Sequence, residues 1–227
     1  MGYYQVYSYL KRSSLVQKLN GPFALNEIDI DGEYGDHHIK PVLNDKLTKL
    51  IINEPISYIL NDLILKKRAQ EPFFIADVGD IVRQLKQWKL LLPRVEPFYA
   101  IKCNPDPVII EILAKFGIGF DCASKVEIQE ALKYIDASRI IYANPCKAAS
   151  HIKYASNSKI QMMTFDNVDE LYKIKSIAPN SKLVLRILAD DSKSKCRFGV
   201  KFGASIEMVP ILLNVAKNLE LNVIGVR

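Results

Sequence analysis

What this 227-residue sequence lacks narrows it first. It contains neither GxGxxG nor GxxxxGK(S/T), so a dinucleotide fingerprint and a P-loop are both excluded. Its three histidines are His37, His38 and His151. The adjacent pair sits in the turn-rich stretch GPFALNEIDIDGEYGDHHIK and reads as solvated loop residues, so no metal is assigned. The four cysteines, Cys103, Cys122, Cys146 and Cys196, form no CxxC pair. That argues against a zinc site and a disulfide framework, and for reduced intracellular thiols. No apolar run approaches the length of a membrane span. The opening MGYYQVYSYLKRSS has no apolar h-region. Its basic and hydroxyl residues leave a transit peptide open, and the default expectation is a cytoplasmic protein. The net charge is +6, but both signs are interspersed. No basic stripe with interleaved aromatics is found, which speaks against nucleic-acid binding.

What is present is a core-forming composition, 49% apolar and 25% charged. Residues 1–70 form an N-terminal extension, partly irregular, with a helix-like stretch over 57–70. From 71 to 227 the chain reads as one partial barrel domain. FFIADVGD is a short strand after Pro72. From Pro97 on, PFYAIK, IGFDCA, RIIYANP, IQMMTFD, KLVLRIL and LNVIGV are short runs apolar on both faces, each separated from the next by a helical segment. Such strands belong to a parallel sheet covered on both sides.

The intervening helices carry start signals. Asp106 is a candidate N-cap and Pro107 suits the first helical position. Ile109, Ile112, Leu113 and Phe116 form one apolar stripe, and Gly117 suits the turn that follows. Ser124 and Glu127 make an S-x-x-E capping box, with Ile128, Ala131, Leu132 and Ile135 as the stripe. Val209, Leu212, Leu213 and Ala216 repeat it. Six strand–helix steps without a phosphate loop favour a (β/α)8 TIM-like barrel, here incomplete at about six of eight strands. An open parallel sheet is the alternative.

The chemistry-bearing residues stand at strand ends. Alternation along PFYAIK places Phe98, Ala100 and Lys102 on one face, so Lys102 is expected at the barrel mouth in partial burial. A lysine short of hydration becomes a better nucleophile, suited to a Schiff base with a carbonyl or pyridoxal phosphate. A strand-end lysine reaching for water is the plain alternative. Arg186 within KLVLRIL needs a partner inside the barrel, and Asp121 and Glu127 are the nearest candidates by position. Glu127 is already accounted for by its capping box, and Asp166 reads most simply as the N-cap of the next helix.

Together PFYAIKCN, GFDCASKVEIQ, IIYANPCK, IKYASN, IQMMTFDN, LVLRILADDSKSKCR and VKFGAS resemble the eukaryotic ornithine decarboxylases, from about Phe73 to Val226. The resemblance implies a pyridoxal 5'-phosphate enzyme of polyamine synthesis that converts L-ornithine to putrescine and carbon dioxide and works as a homodimer. It implies that Lys102 carries the cofactor, that Asp121, Glu127 and Arg186 line the cofactor end, and that Asp166 and Lys201 form ion pairs across the dimer. PCKAASHIKYASNSKIQMMTFD matches the family's antizyme-binding surface, where Lys147, Lys153 and Lys159 are candidates to meet an acidic partner. The family's phosphate loop, ring-nitrogen glutamate and substrate aspartate lie beyond Arg227, so the chain as written is expected to be inactive. An antizyme inhibitor-like binding protein is a second reading, and an arginine or lysine decarboxylase of the same fold a third.

Overall fold

A computed structural model describes residues 4–9, 51–52, 56–61, 64–65, 73–190, 192–195 and 201–227. His37, His38 and Cys196 lie outside the described residues. Two compact units are present, Met1–Glu96 with Glu111–Phe116, and Pro97–Ile110 with Gly117–Arg227.

The first unit holds strands β1 (Tyr4–Tyr9), β2 (Ile51–Ile52) and β3 (Phe73–Asp77) in a parallel sheet of order β2-β1-β3. Of the helix expected over 57–70, the described part is helix α1 (Ile56–Asn61). Helix α2 (Val78–Leu91) follows β3 directly. Asp77 caps it by accepting from the Asp80 amide at 3.2 Å, and Arg83 reaches both carboxylates. An acceptor at the N-cap satisfies one of the donors a helix start leaves free.

The second unit contains the expected six strands: β4 (Phe98–Ala100), β5 (Gly119–Cys122), β6 (Ile140–Tyr142), β7 (Met162–Phe165), β8 (Lys182–Leu185) and β9 (Asn222–Val226). All neighbours are parallel, and sheet order follows chain order. Helices α3 (Pro107–Lys115), α4 (Lys125–Ala131), α5 (Ala149–Asn157), α6 (Val168–Ile177) and α7 (Val209–Asn218) alternate with the strands. Phe120, Cys122, Ile140, Tyr142, Met163, Phe165, Leu183 and Leu185 are sealed from water. Each such side chain contributes about 1.5–3 kcal/mol when fully buried, which is why these runs form strands despite their shortness.

The helix signals operate largely as read. Asp106 accepts from the amides of Val108 and Ile109 at 2.9 and 3.3 Å. Gly117 takes φ +74°, a conformation that suits glycine after a helix. Ser124 accepts from the Glu127 amide at 3.2 Å, while Glu127 reaches back to the Ala123 amide at 2.7 Å. Two expectations need correction. Leu213 is exposed rather than part of the buried stripe of α7. Asp166 is not the cap of α6: Asn167 accepts from the Glu170 amide, because Asp166 is already engaged elsewhere.

The sheet curls. Arg227, just after β9, pairs with Asp121 on β5 at 2.5 Å. Four strand spacings separate β5 from β9, about 19 Å in a flat sheet. The two side chains cannot span that distance, so the contact requires the curvature of a barrel wall.

Candidate cofactor site

In the second unit Lys102, Asp121, Asp166, Arg186 and Arg227 stand at or just past the C-terminal ends of β4, β5, β7, β8 and β9, and Asp121 and Arg227 touch. A parallel barrel presents its reactive groups at this end, because every strand delivers one residue to the same rim.

Lys102 departs from its expected setting. Strand β4 stops at Ala100, and Ile101–Cys103 form a 3-10 turn. The alternation therefore ends two residues before Lys102. Ile101 takes the buried position and Lys102 is exposed, not half-buried. No hydrogen bond or ion pair holds its ammonium among the described residues. Ala100 lies beside Asp121 in the register of β4 and β5, so the lysine starts from the rim next to that carboxylate.

Asp121 is buried at 5% exposure. Its Oδ2 takes Arg227, while its Oδ1 has no donor. Arg186, for which the sequence offers Asp121 as a candidate partner, does not pair with it. Arg186 follows the last residue of β8 rather than lying inside the strand, and its guanidinium packs over the Phe202 ring at 5.1 Å. Glu127 is committed to the Ala123 amide. Arg227 was missed in the sequence because nothing local marks a pair 106 positions apart.

Asp166 sends Oδ2 to the Gly203 amide at 2.8 Å and Oδ1 to the Asn167 side chain at 3.0 Å. Lys201 is exposed and makes no ion pair among the described residues. Lys153 is exposed on α5, and Lys159, also exposed, has φ 63° just after it.

Lys147 overturns its assignment as a surface contact. Its side chain is fully buried. Nζ meets Glu170 Oε1 at 2.8 Å and donates to the carbonyls of Thr164 at 2.6 Å and Asn144 at 3.1 Å. Lys173 holds the other Glu170 oxygen at 2.6 Å and donates to the Lys147 carbonyl. Burial pushes the Lys147 ammonium down from the ordinary lysine value, and Glu170 acts against that shift. Such a group cannot greet an acidic partner from outside. It ties the loop after β6 to β7 and α6 instead.

Burial also pushes the Cys122 thiol far up, helped by Glu127 and Asp121. The Tyr142 hydroxyl, sealed and without a partner, is pushed up to about 12 by burial and then by Glu170. Cys103, Cys122 and Cys146 are free thiols. Among the described residues, no three His, Cys, Asp or Glu side chains are placed to hold a metal ion, and no helix is long and apolar enough to cross a membrane.

A family model described as the pyridoxal-binding domain of pyridoxal-dependent decarboxylases matches residues 78–227. The chain belongs to the pyridoxal-dependent decarboxylases. It is 55% identical to ornithine decarboxylase of Schizosaccharomyces pombe over 157 residues, 69% of this chain and 36% of that protein. It is 50% identical to antizyme inhibitor 2 of Xenopus laevis over 169 residues, 74% of this chain and 37% of the relative. Among solved structures, the arginine decarboxylase of Paramecium bursaria Chlorella virus superposes with a TM-score of 0.71 at 34% identity, covering 74% of this chain and 46% of that one. The chain thus spans less than half the length of these relatives.

The local chemistry fits the cofactor that gives this decarboxylase family its name. An aldehyde cofactor needs a primary amine without a competing partner, and among the described residues Lys102 has none. Asp121 Oδ1 is a buried acceptor lacking a donor, on the strand beside the one that leads to Lys102. Lys102, Asp121 and Arg186 are the residues that would hold it.

Proposed function

We propose that the protein is a pyridoxal phosphate-dependent ornithine decarboxylase, forming putrescine and carbon dioxide from L-ornithine in polyamine synthesis. The observation that carries this reading is a lysine without a partner among the described residues, at the end of a strand of a parallel barrel and inside the stretch matching the pyridoxal-binding domain. When bound, the cofactor supplies an aldehyde for amines and an electron sink for the carbanion left by decarboxylation. The chain's own residues do the rest. Lys102 offers its amine as the covalent tether. Asp121, buried with one carboxylate oxygen unpaired, lies beside Ala100 in the strand that leads to that amine. Arg186 is a guanidinium without a carboxylate partner among the described residues, free to meet an anionic group. Ornithine is favoured over arginine and lysine by the curated relatives, in which the ornithine decarboxylases of S. pombe, Neurospora crassa and Saccharomyces cerevisiae match at 55%, 44% and 50%.

Association with a second copy is part of the proposal, with exposed Lys201 available at such an interface. So is a cytoplasmic location, supported by free thiols at Cys103, Cys122 and Cys146. Antizyme binding without catalysis is the second reading, supported by the antizyme inhibitor relative and by exposed Lys153.

The test is direct. The protein is mixed with pyridoxal phosphate, reduced with borohydride, and mapped by mass spectrometry. A pyridoxyl group on Lys102, absent in Lys102→Ala, is expected; a label confined to other lysines overturns the assignment. Carbon dioxide release from carboxyl-labelled ornithine, arginine and lysine, offered in parallel, then reads the substrate.

A further inference from the structure

The segment Phe202–Ala204 is fastened by three hydrogen bonds, two to residues just after β8 and one to Asp166 just after β7. The Ala204 amide donates to the Arg186 carbonyl and the Leu188 amide to the Ala204 carbonyl, both at 2.8 Å. Gly203, at φ +107°, sits so close that a Cβ there would lie 2.9 Å from the Leu188 nitrogen and 3.0 Å from the Ile187 carbonyl carbon. Asp166, from the end of β7, accepts from the Gly203 amide at 2.8 Å. What this fastening achieves is the placement of one ring. Phe202 lies under the Arg186 guanidinium, 5.1 Å from its centre. Arg186 has no carboxylate partner among the described residues, so the ring face is the contact that fixes where its charge stands.

We propose that Asp166, Phe202 and Gly203 form a latch that positions the Arg186 guanidinium at the cofactor end of the barrel. The inference rests on the reading of Arg186 given under Proposed function. Asp166 and Phe202 are positioning residues: neither needs to touch the cofactor. An arginine on a flexible stem samples many orientations, and a cation held over a π face samples fewer. Asp166 keeps the ring in place by holding the backbone beside it. Its acceptor oxygen matters here, not its charge, so asparagine should substitute and alanine should not.

The test uses the whole chain labelled with nitrogen-15 arginine. The Arg186 Nε–H resonance, identified by its loss in Arg186→Lys, is expected to be displaced by the ring current of Phe202. Phe202→Leu should return it to the range of exposed arginines, and Asp166→Ala should move it the same way. Asp166→Asn should leave it in place. Spectral dispersion shows that each variant is folded; should Asp166→Ala unfold, Phe202→Leu decides. In a second arm, borohydride trapping on Lys102 is followed across pyridoxal phosphate concentrations. Phe202→Leu should raise the half-loading concentration about fivefold, the scale of one exposed cation–π contact. An Arg186 resonance unmoved by Phe202→Leu, or Asp166→Asn behaving like Asp166→Ala, overturns the latch. A wild-type chain that takes no label at Lys102 overturns the functional reading, while the resonance arm still judges the latch.

Discussion

Replacing Lys147 by methionine keeps most of the side-chain volume and removes one charge from a sealed site. Glu170 is 1% exposed and holds two ammonium groups, Lys147 at 2.8 Å and Lys173 at 2.6 Å. Breaking a buried pair from one side costs about 3–5 kcal/mol, because the charge left behind has lost its compensation. Here Lys173 remains, and its side chain is 30% exposed, so part of the compensation persists. The carbonyls of Thr164 and Asn144 also lose their donor, at about 1 kcal/mol each. We therefore expect the low end of the range, about 3 kcal/mol. With a urea slope of about 2 kcal/mol/M, the unfolding midpoint followed by circular dichroism should fall by about 1.5 M. Glu170→Gln should also destabilise, and the double variant should recover part of the loss, giving a coupling of about 1 kcal/mol or more. A midpoint that falls by less than about 0.3 M, or single losses that simply add, would refute the reasoning.

Other outcomes follow from the same geometry. Tyr142 keeps its proton in the folded state up to about 12, while in the unfolded chain it ionises near its ordinary 10.0. Its contribution is thus complete below the lower value and lost as pH rises between the two, so wild type should lose stability more steeply than Tyr142→Phe across that window in urea titrations. Brief alkylation at neutral pH followed by peptide mapping should modify exposed Cys103 and Cys146 and spare buried Cys122; modification of Cys122 at an equal rate in folded protein would contradict its burial. Gly203→Ala should cost about 1–3 kcal/mol, since it forces a Cβ against backbone at positive φ; a thermal midpoint unchanged from wild type would show that the segment moves aside freely.

The sheet was legible because its signals are local. Strands buried on both faces leave apolar runs, and Asp106, Ser124 and Glu127 act on amides two to four residues away. The site was less legible, since its contacts cross the fold. Lys147 sits in a helix-flanking stretch rich in lysines and looks like its neighbours; only Glu170, 23 positions on, draws it inward. Asp166 and Asn167 are both good caps by composition, and the choice between them is made by Gly203, 37 positions away. Alternation failed at Lys102 because it describes strands, and the strand had already ended.

Because each strand from β4 to β9 lies beside its predecessor, the wall can grow in the order in which a ribosome delivers it. Every newly added strand finds its template already in place and becomes the template for the next. The Asp121–Arg227 contact stands outside this sequence of local steps, since it must wait for β9 before it can draw the curve tight.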